Sequence, residues 1–211
     1  MNKKQLYDKI TQTGTELERL QNDLIAVGRT DIALYPGNYI ELSSAAALRS
    51  ERITCSLRQL ASQIPGYRMT YLAQAADAQG VSVTQNGDVL SITLPGLLPK
   101  RQIGVRNDFL MEPLFYALTQ YAMSNPVYRY ERSTVCFFHI YDKNIHPYVR
   151  DHDNVECKQV LDAVTLFFLT DDSGSYCNIF HTSQEGVEDQ TQIYILPSDK
   201  FPRWLTEKSV V

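Results

Sequence analysis

The residues of this chain best suited to chemistry lie in the stretch RDHDNVECKQVLDAVTLFFLTDD, residues 150–172. Asp151 and Asp153 sit one residue apart near its start, and Asp171 and Asp172 close it. Carboxylate oxygens are hard donors suited to Mg²⁺ or Mn²⁺. The same residues also suit plainer roles. Asp153 with Glu156 spells a D-x-x-E capping box, Asp171-Asp172-Ser173-Gly174 is ordinary turn chemistry, and Lys158 and Asp162 are spaced to pair along a helix. Both readings stay open on spacing alone. Between the two acidic groups, Val155 to Leu169 predicts a helix with Cys157, Val160, Leu161, Val164, Phe167 and Phe168 on one apolar face. At ~1.5 Å per residue such a helix is roughly 22 Å long. The aspartates then meet only if the following loop returns along it or the helix ends early. Gathered without a metal, they would repel one another, and one carboxyl would be held above its ordinary range.

The other metal-capable residues give no pattern. Cys55, Cys136, Cys157 and Cys177 form no CxxC pair, which argues against a thiolate zinc site and against a disulfide framework. They read as buried free thiols. The histidines include no HExxH, and His146 and His152 carry no ligand spacing.

The elements that must position these residues form two regions, 1–80 and 81–211. In the first, Leu6, Ile10, Thr13, Leu17, Leu20 and Leu24 make a heptad seam. After a turn at Pro36-Gly37-Asn38, a second helix is expected from Ser43, capped by Ser43 or Ser44, with Ile53, Leu57, Leu60 and Ile64 as its seam. An antiparallel helical hairpin follows, packed on the rest of the chain or serving to bind a protein partner. Pro65-Gly66 ends it, and a shorter helix is expected from Met69 to Gln79.

In the second region, alternating runs about Asn86-Gly87 predict a β-hairpin. A loop with Gly96, Pro99, Lys100, Arg101 and Gly104 leads to a helix over 108–124, which tolerates Pro113 only in its first turn. STVCFFHIYD, 133–142, reads as a strand, and Ser175–Thr182 and Thr191–Leu196 as two strands around a polar turn with Gly186. The fold class is α+β, a mixed sheet covered by helices. Residues 198–211, with Trp204, read as a tail packed back on the domain.

Charge and hydropathy narrow the classes. The chain has 211 residues, 44% of them apolar and 10% aromatic, enough for a real core. No apolar run is long enough for a membrane span and no secretory leader is evident, so a cytoplasmic protein is expected. Of 20 basic and 24 acidic residues, 9 and 8 fall in 1–80, leaving 11 and 16, or −5, in 81–211. Nucleic-acid binders usually carry the opposite sign.

The stretch 150–172 nonetheless resembles the core motif of the RusA family of Holliday-junction resolvases, D-x-D-N, a lysine, LDA and a DD pair. Here these are Asp151, Asp153, Asn154, Lys158, Leu161-Asp162-Ala163 and Asp171-Asp172. LSITLPGLLPKR at 90–101 is similar to that family's first strand and Pro-rich loop, and the likeness covers about residues 89–197. The resemblance implies a homodimer that cuts phosphodiesters in branched DNA with Mg²⁺ or Mn²⁺. It implies Asp151, Asp153 and Asp172 as ligands, Asp171 as their neighbour, and Lys158 stabilising the phosphate or leaving oxygen. Lys100, Arg101, Arg106, Lys143 and Arg150 are the candidates for contacts to the DNA backbone. Two departures stand out. The family's lysine position is held by Cys157, with Lys158 one residue later and so turned by about 100°, and the N-terminal helices have no counterpart. The shifted lysine and the acidic balance suit a catalytically silent relative that binds protein or DNA; the retained aspartates suit an active nuclease.

Overall fold

The computed structural model describes residues 2–61, 68–101, 108–146 and 148–208. The chain divides into two compact units, Met1–Tyr71 and Leu72–Val211.

The first unit is a helical hairpin of α1 (Lys3–Arg29) and α2 (Pro36–Ala61). A capping box opens α1: Gln5 N donates to Asn2 Oδ1, while Asn2 N donates to Gln5 Oε1. The second helix starts at Pro36, earlier than Ser43. A proline fits the first helical position because no intrahelical partner waits for its missing N–H, and Asp31 takes the N–H groups of Ala33 and Leu34 just upstream. Arg49 joins the helices, its Nη1 2.6 Å from Glu16 and its Nε 2.8 Å from Asp23. The Arg49 bond, and after it the Arg19 bond, hold the Glu16 carboxyl below its usual range. The seam is only partly closed: Thr13 and Ile53 are buried, whereas Leu6, Ile10, Leu17, Leu24 and Leu57 remain exposed. Ile64 and the Pro65-Gly66 stop lie outside the described residues. The short helix α3 (Arg68–Ala78) follows.

The second unit is α+β, built on a mixed five-stranded sheet of β1 (Ser82–Asn86), β2 (Val89–Pro95), β3 (Ser133–Asp142), β4 (Cys177–Gly186) and β5 (Gln190–Pro197). The order is β1-β2-β5-β3-β4, antiparallel except for β3 and β4. The hairpin turn at Gly87 takes φ +58°, the conformation that favours glycine at the first position of a two-residue turn. The helices are α4 (Asp108–Ser124), α5 (Lys158–Phe168) and α6 (Phe201–Lys208). Pro113 lies past the first turn of α4, inside the helix.

β4 and β5 are consecutive but not paired, because β5 inserts between β2 and β3. β4 is therefore reached from β3 by a parallel crossover through α5, and every residue from 143 to 176 belongs to that connection. β3 is covered on both faces. Val135 and Phe137 face the core of Leu114, Leu118, Val160, Val164 and Phe168, drawn from α4 and α5. Cys136 and Phe138 face a smaller core where Phe201, Trp204 and Leu205 of α6 pack. The C-terminal segment thus folds back as a helix. Each large apolar side chain so buried contributes about 1.5–3 kcal/mol.

Candidate functional site

The crossover opens on residues 150–157, which run beside the loop after β2. Gly96, at φ +78°, turns that loop, and Thr191 Oγ1 donates to its carbonyl. Glu156 N then donates to Pro99 O and Arg101 N to Asn154 O, both at 2.9 Å, with a β-bridge between Lys100 and Val155. Arg150 Nη1 donates to Leu98 O at 3.2 Å. Lys100, Arg101 and Arg150 are therefore stitched to the segment that carries Asp151 and Asp153. Arg106 lies outside the described residues. Lys143 sits in the turn after β3, beside Gly186.

Residues 152–154 form a 3₁₀ turn, and α5 begins only at Lys158. The expected capping box at Asp153 is not the one used: Glu156 Oε1 accepts from Gln159 N instead. Asp151 and Asp153 stay exposed, and neither carboxylate caps a helix. Eleven residues make α5 about 16 Å long, shorter than the span predicted. Lys158 bonds Asp162 at 2.9 Å. That contact raises its pKa first, with the charge of Asp172 adding and Arg101 opposing, so Lys158 lies within electrostatic reach of both Asp172 and Arg101.

The two acidic groups attach to different levels of β4. His152 Nε2 meets Ser183 Oγ at 2.9 Å, whereas Asp172 and Asp171 act on the Cys177 thiol, which burial first and these charges after it push up. Cys177 to Ser183 is six residues, roughly 20 Å of strand. Among the described residues the aspartates form no group of three with ligand atoms within 4.8 Å of one another. One Mg²⁺ with ligands at ~2.1 Å requires oxygens within about 4.2 Å. The carboxylates as placed therefore suit a cation held by one or two of them with water, and not by all three. Asp171 is occupied in its turn, accepting from Ser173 Oγ at 2.7 Å. That bond holds its carboxyl below the usual range, the reverse of a repulsion-raised acid.

A second cluster lies beneath this surface. His139 of β3, His181 of β4 and Cys157, just before α5, offer ligand atoms that all lie within 4.8 Å of one another. Cys157 Sγ is 4.0 Å from His181 Nδ1. His181 lies flat on Phe137, its register partner, with centroids 5.1 Å apart. His152 stacks on His181 with centroids 5.4 Å apart and lies tilted against His139 at 5.6 Å. Burial, followed by the neighbouring imidazoles His181 and His152, lowers the His139 pKa to about 4. Burial, then Glu156, pushes the Cys157 thiol up to about 12.

Sequence reasoning missed this cluster. Its members stand 18 and 24 residues apart and come from three elements, so no local motif could mark them. The one available signal was parity: His139 shares the inward face of β3 with Val135 and Phe137.

A family model described as a family of unknown function, DUF6100, matches residues 2–210. The chain belongs to the DUF6100 family. Both candidate clusters fall within the span that defines this DUF6100 member, as does the helical hairpin. A search of curated proteins gives no match. Among solved structures, the periplasmic domain of Helicobacter pylori MotB (residues 90–256) is similar at 9% identity and a TM-score of 0.36, over 63% of this chain and 89% of that one. A likeness that slight carries no argument.

Proposed function

We propose that the Leu72–Val211 unit is a structure-selective, metal-dependent DNA endonuclease of the kind the RusA resemblance implies. The observation that carries this reading is the stitching of the Lys100–Arg101 loop to the Asp151–Asn154 segment. The reading is supported by this backbone contact between a loop carrying two cationic residues and a segment whose exposed carboxylates cap no helix. Lys100, Arg101 and Arg150 would hold the DNA backbone. Lys158, within the field of Asp172, would offset charge on a leaving oxygen. Of Asp151, Asp153 and Asp172, one or two would hold Mg²⁺ or Mn²⁺ together with water, and the ion would supply charge neutralisation at phosphate and an activated water. A homodimer would match the two-fold symmetry of a four-way junction.

The test is cleavage of a synthetic four-way junction and its matched linear duplex, with and without Mg²⁺ or Mn²⁺, alongside Asp153→Asn. Metal-dependent cutting confined to the junction and lost in the variant is the expected result. Absence of cutting, with no Mg²⁺ bound in calorimetry, ends the nuclease reading.

One observation favours a second reading, a silent relative that recruits protein. Leu6, Tyr7, Ile10, Leu17 and Leu24 of α1 are exposed, a stripe that a partner helix could cover.

A further inference from the structure

We infer that His139, Cys157 and His181 form a binding site for a transition-metal ion of the Zn²⁺ class, distinct from the acidic residues. The inference stands on geometry and does not depend on nuclease activity.

Two observations support it independently. The three ligand atoms are already mutually within 4.8 Å, and the Cys157–His181 pair is at 4.0 Å. Tetrahedral zinc, with bonds of ~2.0–2.1 Å to nitrogen and ~2.3 Å to sulfur, spaces its ligand atoms about 3.3–3.6 Å apart. Closing the group therefore takes side-chain shifts of roughly 1 Å. The second observation is the state of His139, which is 1% exposed and whose Nε2 has no hydrogen-bond partner. Buried polar atoms in folded proteins are nearly always satisfied, and an orphan marks a missing partner. A metal ion is a partner that an imidazole nitrogen accepts well.

The donor set decides the class of ion. One thiolate and two imidazoles select Zn²⁺, Co²⁺ or Cu over Mg²⁺ and Ca²⁺, which demand oxygen. His152 stands beside the group with its Nε2 engaged by Ser183, which leaves three protein ligands and an open fourth position, as in zinc sites that keep an exchangeable water.

The consequence is mechanical. The ligands come from β3, from β4 and from the residue that precedes α5, so a bound ion staples the entry of the crossover helix to both strands. Cys157 lies four residues after Asp153. Loading the site would fix the acidic segment over the sheet.

The experiment uses the full chain, freed of metal and titrated with Co²⁺, then with Zn²⁺ as competitor and Mg²⁺ as control. One equivalent of Co²⁺ should produce the visible bands of four-coordination and a thiolate charge-transfer band, both erased by Zn²⁺ and untouched by Mg²⁺. Cys157→Ser should lose the charge-transfer band, His181→Asn should weaken binding at least about tenfold, and Asp153→Asn should change neither. No stoichiometric Co²⁺, a charge-transfer band that persists in Cys157→Ser, or its loss in Asp153→Asn would overturn the site. If the cysteine variant does not fold, alkylation of the wild-type chain decides. Protection of Cys157 by Zn²⁺ supports the inference, and equal labelling with and without Zn²⁺ refutes it.

Discussion

The two clusters on the β3–β4 crossover solve opposite physical problems. The acidic one is built from loops and turns at the surface, where Asp151 and Asp153 keep their hydration and carry charge at little cost. Water and salt screen such groups, and their positions depend on backbone contacts with the Pro99–Arg101 loop. The His139–Cys157–His181 group is drawn from two adjacent strands and a helix entry, against Phe137, with His139 buried and the other two half-buried. Burial pushes the pKa of both imidazoles down, and stacking holds their rings. A surface cluster can gather a hard ion only by moving; a buried one is already nearly assembled and must instead exclude competitors. One segment of eight residues, 150–157, contributes to both.

The comparison can be broken from the buried side first. Phe137 is fully buried and forms the floor beneath His181, so Phe137→Ala should cost about 3–5 kcal/mol, read from urea unfolding. Zn²⁺ binding should fall with it. An unchanged Co²⁺ spectrum would show that packing does not set the ligand geometry.

From the surface side, Asp153→Asn should lower junction cleavage at least about 100-fold without moving the unfolding midpoint. A lowered midpoint would return Asp153 to a structural role.

His139→Leu separates burial from ligation. It removes a buried unsatisfied nitrogen, so the metal-free chain should gain about 1–3 kcal/mol while losing its response to Zn²⁺. The same variant tests pH dependence. The folded His139 pKa of about 4 lies below its ordinary 6.5, so the unfolded chain binds the extra proton between these values. Stability of the metal-free chain should be full above pH 6.5, fall as pH drops through that window and level off below 4. His139→Leu should flatten this slope.

The smallest effect on stability belongs to Lys158→Ala. Its pair with Asp162 leaves the two side chains 62% and 51% exposed, where water and salt screen the attraction, so the unfolding midpoint should not move. Junction cleavage should fall if Lys158 acts on the leaving oxygen, and unchanged cleavage would remove it from the site.

Much of the scaffold could be read from residue order. Alternation about Asn86-Gly87 predicted β1 and β2, and the runs 108–124 and 133–142 are the observed bounds of α4 and β3. The start of α5 differs from the sequence expectation because Asp153 and Glu156 have capping spacing, whereas tertiary contacts hold that segment out of the helix: Glu156 N with Pro99 O, Arg101 N with Asn154 O and the Lys100–Val155 bridge. β4 and β5 looked like neighbours because a short polar turn joins them, and no local signal says that β5 pairs with β2. The aspartates were visible because they share one stretch, although not their attachment to β4 six residues apart. His139, Cys157 and His181 were invisible for the converse reason: they meet only after the crossover has closed.

That crossover also says where the chain can tolerate change in length. The turn at Gly87-Asp88 is exposed and joins two strands already paired to each other, so extra residues there would loop into solvent. Between 143 and 157 an added residue would shift His152 against Ser183 or Cys157 against His181. Insertions and deletions among relatives should therefore collect at the β1–β2 turn and avoid the path from β3 to α5, giving a map of functional constraint that can be drawn from gaps alone.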